Sequence, residues 1–279
     1  MSRYRFVVIS VLWSLSVSIF GCDGGAKDDS ESSAFTGLKL SELPLSVVSV
    51  EGSWSEVDPL FDDTHQWRCS ACVLSATEER LILITSSACL DLKRLVNADT
   101  NAPDLGNYEL KATFSGRQSL QVTHIGESRQ SLGISLLAID TPMLSEGDAY
   151  LPLNDVVDGS LPVGTEVVAV LQRGNLTGTH AFGRITALRQ MPERTGMVDY
   201  IQTDLKLQAE DNGGPLFAKS SDRYLWAGIN TIASIDGAEM AFAVTADEID
   251  TSQFEWFHAD AAGLVKMLSS IYGIDAQVQ

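Results

Sequence analysis

The side chains of this 279-residue chain best suited to move a proton near neutral pH are four histidines, His65, His124, His180 and His258. Each stands alone. His124 and His180 lie in apolar runs that read as strands, where a lone histidine is a surface residue or a satisfied core residue. Ser86 and Ser87 are adjacent hydroxyls with no base implied beside them, and small residues suit a turn there. A metal site would need ligands clustered at short spacings. Neither "VTHIG" nor "WFHAD" supplies them. Asp62, Asp63 and His65 come nearest, and they read as a solvated acidic loop. No metal and no cofactor is expected. Of the four cysteines, Cys69, Cys72 and Cys89 crowd one stretch, while Cys22 stands apart near the N-terminus.

The elements that would position any site are short. From residue 45 onward, apolar runs such as "LPLSVVSV", "LILITS", "ISLLAID", "TEVVAVLQRG", "HAFGRITAL" and "MAFAVTA" alternate with turn residues. About eleven such runs fit strands, several with period two. That pattern is all-β, a sandwich or a pair of closed barrels. The period changes in the tail. Phe254, Trp256, Phe257, Leu264, Met267, Leu268 and Ile271 fit one helix face, so residues 251–279 are expected to form a helix packed on the domain.

Hydrophobic residues make up 44% of the chain and charged residues 20%, enough to build a full core. The net charge of −18 repels phosphate backbones, which argues against nucleic acid as a partner. Residues 1–22, "MSRYRFVVISVLWSLSVSIFGC", join a basic start to an apolar run too short to span a membrane. The closing "IFGC" resembles a bacterial lipobox, which implies a lipidated Cys22 and membrane attachment through acyl chains. Residues 23–44 are small and polar at first and read as a flexible tether. The folded domain is expected over 45–250.

Five ordered blocks then carry a resemblance to the trypsin-like serine peptidases, closest to the HtrA/Deg branch. They are "CSACVLSATEERLILITSSACL", "GESRQSLGISLLAID", "LPVGTEVVAVLQRGNLTGTHAFGRITAL", "YIQTDLKLQAEDNGGPLF" and "WAGINT" with "MAFAVTA". The resemblance covers roughly residues 66 to 247. It implies two six-stranded antiparallel β-barrels of the trypsin-like type, followed here by the C-terminal α-helix. It also assigns positions. Ala88 stands where the family has its histidine base, Gly133 where it has the orienting aspartate, and Asn212 where it has the serine nucleophile. Glu210 replaces the glycine whose N–H helps build the oxyanion hole. By the same resemblance, Cys69 and Cys89 match a disulfide beside the histidine loop, with Cys72–Cys89 as the rival pairing.

Acyl transfer needs a nucleophile, a base that takes its proton and a group that holds the base in one tautomer. A methyl, a bare backbone and a carboxamide supply none of these. Losing one key member of such a triad already lowers turnover by roughly 10^6. A carboxylate at 210 would also repel a developing oxyanion. The expectation is a pseudopeptidase: a non-catalytic, lipid-anchored protein of the bacterial cell envelope, periplasmic or on the outer surface. It would bind an unidentified protein or peptide, or act as a scaffold, and is expected as a monomer, since the family's usual PDZ module has no counterpart here. The alternative is a serine-type endopeptidase-like hydrolase with a relocated site. In active relatives the substrate is held as an added strand. The matching cleft residues are Asn212, Gly213, Gly228, Ile229 and Asn230.

Overall fold

The computed structural model describes residues 37–55, 64–77, 79–90, 108–114, 119–128, 133–140, 150–153, 156–157, 161–173, 176–193, 196–235, 238–249 and 254–256. The chain divides into units Met1–Ala34 and Phe35–Gln279, and every described residue belongs to the second. The signal segment with Cys22, most of the tether and the tail beyond Trp256 therefore lie outside the described residues.

Fourteen strands appear among the described residues: β1 Val47–Ser55, β2 Thr64–Ala76, β3 Arg80–Ser86, β4 Tyr108–Thr113, β5 Ser119–Gln121, β6 Thr123–Ser128, β7 Ile134–Asp140, β8 Glu166–Arg173, β9 Leu176–Glu193, β10 Gly196–Thr203, β11 Pro215–Ser220, β12 Arg223–Ile235, β13 Ala238–Thr245 and β14 Phe254–Trp256. They form two antiparallel sheets. One is a curled eight-stranded sheet in the order β14-β6-β7-β3-β2-β1-β4-β5; the other is a closed six-stranded barrel in the order β10-β13-β12-β11-β8-β9. The second barrel closes because β9 is long enough to serve two partners. Its first half pairs with β8 through Arg184 and its second half pairs with β10 from Ile185 onward.

Several strands are apolar on both faces, and the packing explains why. In β3, Leu81 and Leu83 point into the interior of the curled sheet, whereas Ile82 and Ile84 join a core shared with residues of the barrel. β7 divides the same way, with Leu137 and Ile139 on one side and Ile134, Leu136 and Ala138 on the other. In the barrel, Val167, Ala169 and Leu171 fill its interior, while Val168 and Val170 face the shared core. Successive side chains of a strand point to opposite faces, so a strand between two cores has no polar face to show. Phe217 and Phe242 are shared-core residues from the barrel side, each about 1% exposed, beside Trp226 and Tyr200.

The expected double-barrel architecture is present, its first half a curled eight-stranded sheet and its second half the closed six-stranded barrel. One expectation is amended. The tail does not begin as helix: Phe254–Trp256 is a strand, with Phe254 opposite Ser128 and Trp256 opposite Gly126 of β6. Residues two apart share a face on a strand and point to opposite sides of a helix, so the spacing of Phe254 and Trp256 suits the strand. The remainder of the expected helix lies outside the described residues. Phe242→Ala should destabilise the domain by about 3–5 kcal/mol, because the shared core cannot collapse around the lost ring. A urea titration followed by tryptophan fluorescence checks this, and a loss under about 1 kcal/mol would mean that the two sheets do not share a rigid core.

Candidate functional site

Three loops meet where the sheets join. The first leaves β3 as a 3-10 turn, Ser87–Cys89, with Ser86 Oγ accepting from the Ala88 N–H at 3.3 Å. The second enters β7 at Gly133, whose φ is +62°. The Ser87 N–H donates to the Gly133 carbonyl at 2.6 Å, and the Ser87 and Ser135 hydroxyls lie 2.7 Å apart. The third is the Gln208–Gly214 segment before β11. Its Asn212 carbonyl accepts from the Ser70 N–H at 2.9 Å and from Cys89 Sγ at 3.3 Å. The fold thus brings positions 88, 133 and 212 to one place.

The third loop is anchored by a buried charge. Asp211 is fully buried and accepts from Arg173 Nε at 3.1 Å, Arg173 Nη2 at 2.6 Å and the Gln208 N–H at 2.7 Å. Its hydrogen bonds with Arg173 push the guanidinium pKa further up, against the opposing effect of partial burial. Gln208 and Asp211 form a reciprocal capping pair around the 3-10 turn Ala209–Asp211. That turn directs the Asn212 N–H back to the Ala209 carbonyl, 3.3 Å away. In acyl transfer the nucleophile's own N–H is one of the oxyanion donors; here it has an internal acceptor. Gly213 follows with φ +83°, and a Cβ there would strike Thr85 Oγ1 and the Ser70 carbonyl. Only glycine passes this point without strain.

The Asn212 side chain is also engaged. Its Oδ1 accepts from the Ile232 N–H at 2.7 Å. Strand β11 stops pairing with β12 at Ile229, and the next contacts along that edge are Asn230 N–H to the Gly214 carbonyl and Gly213 N–H to the Asn230 carbonyl, both 2.8 Å. Asn212 Oδ1 therefore takes the next outward donor of β12. This corrects the expected cleft. Gly213, Gly228, Ile229 and Asn230 are buried, and Gly228 and Ile229 are paired on both sides by β11 and β13. The Asn230 side chain turns inward to donate to the Pro215 carbonyl at 3.1 Å. An added peptide strand has no free backbone groups at those positions.

No histidine accompanies these groups among the described residues. His124 sits in β6 opposite Leu137, with Glu127 at 3.7 Å, and His180 sits in β9 opposite Val170 beside the Phe182 ring. His65 pairs with Trp54 at the far end of β1 and β2, and His258 lies outside the described residues. No group of three His, Cys, Asp or Glu side chains suited to a metal occurs among the described residues.

The cysteines need a second correction. Cys69, Cys72 and Cys89 are buried free thiols. Cys69 and Cys89 are in side-chain hydrogen-bond contact, while the Cys89 sulfur also accepts from Thr85 Oγ1 at 3.4 Å. Cys72 is turned to the other face of β2 and donates to the Gly213 carbonyl at 3.2 Å. The neighbouring hydroxyl and carbonyl groups satisfy the thiols without a bridge. Burial pushes the Cys69 and Cys72 pKa values well up, so neither is poised as a thiolate.

Sequence reasoning did not single out Arg173, Asp211 or Ile232. Asp211 carried no local signal, since it stands among the polar residues Gln208, Glu210 and Asn212. Arg173 and Ile232 carried none, because their partners are 38 and 20 residues away.

A closed antiparallel barrel joined through a shared core to a curled antiparallel sheet, with three loops converging between them, is the trypsin-like double-barrel architecture. Solved structures agree. The crystal structure of Deg5 superposes with a TM-score of 0.53 at 21% identity, covering 75% of this chain and 87% of that one. The Rv3671c protease of M. tuberculosis in its active form gives 0.52 at 17% identity over 88% and 96% of the two chains. An inactive form carrying a serine-to-alanine substitution gives 0.51 at 18% identity over 89% and 96%. At such identities the likeness establishes the fold. No family model matches the chain, and no curated protein matches it.

Two outcomes follow from the loop geometry. Arg173→Leu should cost about 3–5 kcal/mol in a urea titration, since it strands a buried carboxylate; a neutral result would mean that Asp211 does not anchor the loop. Alkylation by iodoacetamide in denaturant without reductant, followed by peptide mass mapping, should modify Cys69, Cys72 and Cys89 alike. Recovery of a Cys69–Cys89 cross-linked peptide would restore the disulfide.

Proposed function

We propose that this chain is a non-catalytic member of the trypsin-like fold, tethered to a bacterial envelope membrane through Cys22 and acting as a protein- or peptide-binding module or scaffold. The observation that carries the reading is the state of Asn212. Its N–H, carbonyl and side-chain oxygen all have protein partners, in a loop held by a buried ion pair. Around it, positions 88 and 133 offer a methyl and a bare backbone in place of a base and its orienting carboxylate. A carboxamide nitrogen is a poor nucleophile, and no histidine stands in this loop system among the described residues to serve as its base. Glu210 adds negative charge beside the place where an oxyanion would form, which opposes acyl transfer further. The basic, apolar and cysteine-terminated N-terminus supports the envelope assignment.

Incubation of the purified protein with fluorescent casein tests the reading. Wild type should release no more dye than buffer, and Asn212→Ser combined with Ala88→His should stay inert, because Gly133 and Glu210 remain. Wild-type turnover that is lost on blocking the groove would overturn the proposal in favour of a hydrolase with a relocated site.

A further inference from the structure

A cavity of about 700 Å3 opens on the first-sheet side of the three converging loops. Its walls come from β1 at Glu51 and Gly52, from β2 at Trp67 and Arg68, from Ala88 and Cys89, from β4 at Glu109 and Lys111, and from Ala209 and Glu210. The size falls in the range of ligand sites, about 300–1,000 Å3. We infer that this cavity, rather than the β12 rim, is the binding site of the molecule, and that it takes a lysine or arginine side chain presented by a partner polypeptide. The inference rests on the non-catalytic reading above and assigns that reading a place and a ligand chemistry.

Trp67 is a fixed wall. Its indole N–H donates to the Cys89 carbonyl at 2.6 Å. Its six-membered ring lies against β1 at Gly52, where an added Cβ would collide with Cζ2, Cη2 and Cε2. A glycine at 52 is what lets the ring lie this close to the strand. A half-buried, immobilised indole is a surface that attracts cations and also receives the apolar stem of a long basic side chain.

The charges around the cavity favour the same ligand. Three carboxylates, Glu51, Glu109 and Glu210, line it against two cations, Arg68 and Lys111. Both cations are already paired, Arg68 with Glu51 at 2.7 Å and Lys111 with Glu109 at 2.7 Å. Glu210 makes no side-chain hydrogen bond among the described residues. The field of Glu210 reaches Arg173, whose guanidinium is committed to Asp211 and to the Lys206 carbonyl. Among the described residues the lining thus carries one negative charge in excess, on a half-buried carboxylate that shares the cavity with an indole. Ala88 contributes only a methyl to the wall, which leaves space that a larger side chain would fill. The rim of the barrel offers less, since Asn212 Oδ1 holds the Ile232 N–H. The net charge of −18 draws a basic partner toward the molecule at long range.

Fluorescence anisotropy with two labelled heptapeptides tests the inference on the full-length protein in detergent. The peptides share a glycine–serine context and differ in one central residue, arginine or its uncharged isostere citrulline. The arginine peptide should bind at least about tenfold more tightly, as a charge-assisted contact to a carboxylate provides. Glu210→Gln should remove that preference, and Trp67→Leu should weaken both peptides. Equal affinities, absence of binding by the arginine peptide, or a preference that survives Glu210→Gln would overturn the inference. The recovered peptides are then weighed by mass spectrometry. Intact peptides are expected; cleavage would sink the non-catalytic reading whatever the charge preference shows.

Discussion

One buried carboxylate organises the centre of this molecule. Asp211 is fully buried, and Arg173 and the Gln208 N–H meet it with three hydrogen bonds. The pair fixes the turn on which Glu210 and Asn212 sit. From that turn follow the inward direction of the Asn212 N–H, the reach of its side chain to Ile232 and the placing of Glu210 on the cavity wall. A buried ion pair is weak evidence for net stability. Its value here is geometric, since a loop of this length has many other conformations to choose from.

The same turn is where the peptidase-like layout and its chemistry part ways. The three loops still converge, with hydrogen bonds linking Ser87 to Gly133 and Cys89 to Asn212. Among the described residues no histidine lies at the convergence, and the Asn212 N–H is turned to the Ala209 carbonyl. A fold can keep its packing while losing its site, because core and site answer to different demands. The core requires apolar residues on both faces of β3, β7 and β8. The site would require only a few side chains at loop positions that tolerate alanine, glycine and asparagine equally well.

Much of the architecture was legible in the sequence. Runs such as "LILITS" and "ISLLAID" have no polar face, which fits strands between two cores, and the ordered blocks placed them in a double barrel. Positions 88, 133 and 212 were named by the family resemblance, and the loops that carry them are hydrogen-bonded together. Long-range pairings were not legible. Nothing local links Arg173 to Asp211 or Ile232 to Asn212. Gly228 and Ile229 looked available because strand pairing on both sides cannot be seen from one strand. The tail misled for a related reason: its helical stripe was carried mainly by residues after 256, and the pairing of Phe254–Trp256 with β6 is not visible from the tail alone. The family resemblance implied a Cys69–Cys89 bridge; the two are neighbouring free thiols, with Cys89 also bonded to Thr85 and Asn212.

The central claim is that the groove between the sheets contains no activated hydroxyl. Intact-mass measurement after incubation with a fluorophosphonate probe tests it most directly. The protein should emerge with its mass unchanged. A mass gain of one phosphonyl group, mapped to a serine lining that groove, would contradict the account.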